Sequence, residues 1–190
     1  MNSIESPRPI LTAGRPIAAQ GAINILAAIG LALGGVFGMA GTIVTEPNLR
    51  AASWGLDAVG LIVATALLAL KYFRAGNDIV AAGFLVFAIG EAVILSGNAA
   101  TLEGSVPSFA AGTALWSAAL LLTSVPNQFA IWVRLPGMIG SILFAITAAR
   151  IFWGEQVLPT SSPLPFFAYP FLVLTFAGWI WTLLKKNERD

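Results

Sequence analysis

The stretch FLVFAIGEAVILSGNAA, residues 84–100, sets one carboxyl group, Glu91, inside an apolar run, with no other charge between Asp78 and Glu103. In hydrocarbon an ionised acid costs ~2.5 kcal/mol or more, so such a group is neutral, paired or beside water. Two kinds of chemistry follow. A carboxyl that gains and loses a proton, or a cation, can couple solute movement to an ion; a carboxyl locked to a partner pins two helices together. Asn98 is seven residues further on, which places it on the same helical face as Glu91. Asp57 and Arg150 are expected in the outer parts of their own segments, and Arg150 has three candidate partners: Glu91, Asp57 and the nearby Glu155. Glu91, Asn98, Arg150 and Asp57 are therefore the candidate intramembrane polar site.

The rest of the inventory removes most alternatives. Cysteine and histidine are both absent. That excludes disulfides, thiolate and imidazole metal sites, His-ligated haem and every Cys/His or Ser/His/Asp arrangement. With Asp57 read as peripheral, only one acid lies deep, so the facing pair of an aspartyl protease is not expected. No mid-segment lysine offers a general base or a Schiff-base site. The expectation is a protein without enzyme activity or cofactor. A net charge of +1 argues against a nucleic-acid partner.

These residues must be positioned by elements that live in lipid. The chain is 57% hydrophobic and 10% charged, with a mean hydropathy of +0.84, whereas soluble domains run near a quarter charged. A transmembrane helix needs about 20 predominantly apolar residues, and six such runs occur: 18–43, 53–73, 79–99, 107–124, 135–153 and 165–184. Pro136 is expected in the first turn of the fifth and Pro170 as a kink in the sixth. Barrel strands would alternate apolar and polar residues, and these runs do not. The expected fold is all-α: a polytopic bundle of about six spans, with segment 1–17 before it, a transmembrane domain over 18–184, and a basic tail, 185–190.

Charge orients the bundle. With the N-terminus inside, Arg8, Arg15, Lys71, Arg74, Arg134, Lys185, Lys186 and Arg189 share one side, against Arg50 and Arg150 on the other. Eight against two predicts both termini in the cytoplasm, in a multi-pass protein of a bacterial inner membrane. Gly38-Met39-Ala40 resembles the small-residue end of a cleaved signal peptide. The apolar run continues to Val44, however, so a retained first helix is expected.

Glycine spacing predicts close packing. Gly30, Gly34 and Gly38 recur every four residues in the first span, and Gly83, Gly90 and Gly97 every seven in the third. Such smooth faces let neighbouring backbones approach. Lys71-Tyr72-Phe73 and Phe84-Leu85-Val86 are echoed by Arg150-Ile151-Phe152 and Phe171-Leu172-Val173, a faint signal of an inverted three-plus-three repeat. Two functional classes result. One is a small transporter or channel-like protein with an exchanging carboxyl at Glu91, acting on a proton or small solute. The other is a structural or assembly subunit whose glycine faces meet a membrane partner or a second copy. Both place the chain in contact with the lipid bilayer.

Overall fold

The computed structural model describes residues 17–187. Most of the expected front segment and part of the tail, with Arg8, Arg15 and Arg189, lie outside them. Six helices follow in order: α1 (Ile17–Ile43), α2 (Pro47–Arg74), α3 (Asp78–Ser96), α4 (Val106–Ser124), α5 (Ile131–Phe152) and α6 (Tyr169–Asn187). No strand occurs among the described residues. Five helices are long and apolar enough to cross a membrane, and α6 carries a shorter apolar stretch, Tyr169–Lys185. The protein is a helical membrane bundle.

Helix starts follow cap chemistry more closely than hydropathy. Glu46 is the N-cap of α2, accepting from the backbone N–H groups of Leu49 (2.6 Å) and Asn48 (3.0 Å), with Pro47 next in the first turn. These amides hold its carboxyl below the usual range. The helix thus begins six residues before the expected apolar run at 53. α5 begins at Ile131, which puts Pro136 inside the helix instead of in its first turn. α6 begins at Tyr169, so Pro170 falls in the first turn, where its missing N–H breaks no intrahelical bond. Gly76, at φ +72°, takes the left-handed turn between α2 and α3 that other residues rarely adopt.

Each helix packs on its neighbours in the chain, and α6 returns to α1, closing a ring of six. The outside is apolar: Leu26, Ile29, Leu33 and Val36 of α1 and Ile139, Ile142 and Ile146 of α5 are all exposed. In water these faces would aggregate; in lipid they are solvated. The inside is aromatic. Phe84 meets Trp179 edge-on at 4.8 Å and stacks on Tyr72 at 5.4 Å, while Phe87 stacks on Trp116 at 5.6 Å. With Phe129 (5.8 Å from Tyr72) this cluster fills the bundle toward the end that carries the termini.

The glycines set helix separation. A Cβ on Gly30 would meet the Gly60 carbonyl oxygen at 2.4 Å, one on Gly34 the Leu61 side chain at 2.2 Å, and one on Gly38 Asp57 Oδ2 at 3.0 Å. The first stripe therefore lies against α2. A Cβ on Gly83 would meet Thr123 of α4 at 2.7 Å, one on Gly90 the Gly112 carbonyl at 3.1 Å, and one on Gly97 would overlap the Ser108 side chain, so the second stripe lies against α4.

Most buried hydroxyls stay within their own helix. Thr147 bonds the Leu143 carbonyl and Thr175 that of Phe171, both four residues back. A threonine hydroxyl reaches the preceding turn of its own helix without leaving its rotamer well. Bridges between helices include Ser141 Oγ to the Ser117 carbonyl (2.8 Å) and Lys71 Nζ to Asn24.

Candidate functional site

A cleft enclosing about 730 Å³ of empty space, its open mouth included, lies among α1, α2, α3, α4 and α6, with Pro159 of the α5–α6 connection also in its wall. It occupies the half of the bundle away from the termini: its lining comes from the C-terminal halves of α1 and α3 and the N-terminal parts of α2, α4 and α6. Tyr169 Oη donates to the Pro159 carbonyl at 2.8 Å, which fastens the connection over this end. Below the cleft, Phe87, Trp116 and Phe176 begin the aromatic cluster.

Both acids of interest line it. Glu91 is 2% exposed and Asp57 7%. Two close approaches put them there. At Gly90 and Gly112, α3 and α4 come near enough that a Cβ on Gly90 would stand 3.1 Å from Trp116 Cδ1, and the next residue, Glu91, lines the cleft together with Trp116. At Gly38, the absence of a side chain leaves room on α1 for the Asp57 carboxylate. The two acids line the same cleft from different helices, Asp57 from α2 and Glu91 from α3. Glu91 Oε2, Asp57 Oδ1 and Trp116 Nε1 are buried without a hydrogen-bond partner. Among the described residues no Lys or Arg lines the cleft, and the titratable groups that do are Asp57, Glu91 and Tyr169.

Three of the four residues singled out by the sequence therefore come together. Asn98, in the turn just past α3, lines the cleft and ties α3 to α2 by donating from Nδ2 to the Ala51 carbonyl at 3.2 Å. Arg150 does not join them. Its Nη2 lies 2.6 Å and its Nε 2.8 Å from Glu155 Oε2, with both side chains well exposed (38% and 51%). α5 contributes no residue to the cleft, and a carboxylate five residues on is nearer and wetter than one across the bundle. The expectation of a single deep acid is also corrected. Because α2 starts at Pro47, Asp57 lies about 15 Å into its helix at 1.5 Å per residue. Sequence reasoning missed the aromatic wall of Trp54, Phe109, Trp116 and Tyr169; Trp54, three residues before Asp57, was the available signal.

This arrangement can hold positive charge. It offers two carboxyl groups, each with one unpartnered buried oxygen, and no Lys or Arg among the described residues of its wall, in surroundings that screen poorly. The chain matches no family model, no curated protein and no solved structure.

Proposed function

We propose that the protein is a small transporter of a bacterial inner membrane, in which Glu91 and Asp57 exchange a proton for a cation. The observation that carries this reading is the pair of buried carboxyl groups, each with an unpartnered oxygen, in a cleft without Lys or Arg. An ionised carboxylate in such a place needs compensation that the described side chains do not supply. The charge has to come from outside, as a proton or as a cation, and the two compete for one site. A catalytic acid pair is not favoured, because such dyads share a proton in a direct hydrogen bond and no such bond joins Asp57 to Glu91 among the described residues. The subunit reading is supported less well, since the glycine faces that would receive a partner are occupied by α2 and α4.

In this reading the aromatic cluster is the closed gate. The test is cation-driven proton efflux from vesicles containing the purified protein, which must exceed that of the Glu91→Gln protein.

The charge bias places the cleft mouth outside the cell. Single cysteines at Ser3 and Thr160 in this cysteine-free chain should then differ in labelling by an impermeant maleimide on intact cells, Thr160 reacting and Ser3 not. Equal labelling of both in sealed cells would contradict the six-span orientation.

A further inference from the structure

We infer that the ligand of this cleft is an organic monocation with an apolar or aromatic body, an inference that deepens the exchange reading and rests on it. The wall pairs two carboxyl groups with Trp54, Phe109, Tyr169 and Phe176. Carboxylates attract positive charge. Aromatic faces attract it too, and they also bury apolar surface, so together they suit an ammonium group carrying hydrocarbon.

Other ligand classes fit worse. An anion would face two acids with no Lys or Arg in the wall. A hard metal ion asks for six or more oxygens, while no group of three or more His, Cys, Asp or Glu residues is placed to hold a metal among the described residues. A proton alone has no use for an aromatic wall. Trp54 already shows the relevant contact, with the Arg50 guanidinium carbon 6.0 Å from its ring centre.

The experiment is titration of the purified full-length protein in detergent with three probes, read by calorimetry: benzyltrimethylammonium, its uncharged carbon isostere neopentylbenzene, and calcium. Benzyltrimethylammonium should bind saturably, at least about tenfold more tightly than the isostere, and should lose about tenfold or more in the Glu91→Gln and Asp57→Asn proteins. Equal binding of the isostere, tighter carboxyl-dependent binding of calcium, or no saturable binding of the ammonium probe would overturn the inference. The comparison of cation with isostere uses the wild-type protein alone, so it stands even if a variant fails to fold. Proton efflux that depends on Glu91, with no binding of the ammonium probe, would overturn the ligand class and spare the exchange reading. Carboxyl-dependent binding without any coupled proton efflux would uphold the ligand class and end the exchange reading.

Discussion

Glu91→Gln should abolish cation-driven proton exchange while leaving the melting temperature unchanged or raised. Glutamine keeps the shape of the side chain and removes the charge that burial penalises. No cation is stranded by the change, because Arg150 is held by Glu155 at the far edge of the bundle. Were Glu91 the ionised mate of Arg150, removing it would cost ~3–5 kcal/mol, and adding Arg150→Gln would restore much of the loss. The structure predicts no such rescue: the effects of the two changes on stability should add. A sharp fall in melting temperature for Glu91→Gln, reversed in the double variant, would overturn the placement of both residues.

The largest effect on stability is expected at the α1–α2 crossing. A Cβ at residue 30 would lie 2.4 Å from the Gly60 carbonyl oxygen and 2.8 Å from Ala64 Cβ, and one at residue 60 only 2.9 Å from the Gly30 oxygen. These are backbone clashes, which no rotamer change relieves. Gly30→Val should therefore separate the helices and cost at least the ~1–3 kcal/mol typical of overpacking. That outweighs the gain of up to about 1 kcal/mol from replacing a helical glycine. Gly34→Leu should act in the same direction by displacing the buried Leu61 side chain. Gly55 is the control: it lies within α2, and an added methyl would meet nothing within 4 Å, so Gly55→Ala should be neutral or mildly stabilising. Thermal unfolding in detergent reads all three. A Gly30→Val protein that melts with the wild type would mean that α1 does not cross α2 at this point.

The six helices were legible because hydropathy reports the lipid-facing surface directly, and that surface is most of what an apolar bundle shows. Their ends were not, since a helix continues past the hydrocarbon into polar sequence. α2 runs through Asn48 and Arg50, and only the Glu46-Pro47 pair, a capping acid followed by a first-turn proline, marks its start. That error hid the depth of Asp57. Glu91 and Asn98 were readable as one face from their spacing alone. Asp57 and Glu91 reach one cleft from α2 and α3, and no periodicity within one helix carries that information. Arg150 was misjudged as a member of the site for a related reason: whether an outer cation turns inward depends on which helices line the cavity, and α5 is not one of them.

The central claim is that Glu91 and Asp57 take up and release charge through the cleft. It is tested most directly in vesicles loaded with a pH-sensitive dye at acid pH and diluted into sodium, potassium or benzyltrimethylammonium as the sole external cation. The account predicts that at least one cation drives proton efflux well above that of protein-free vesicles, and that Glu91→Gln and Asp57→Asn each reduce it to background while inserting normally. Efflux from wild-type vesicles no faster than from the Glu91→Gln protein, with every cation, would contradict it.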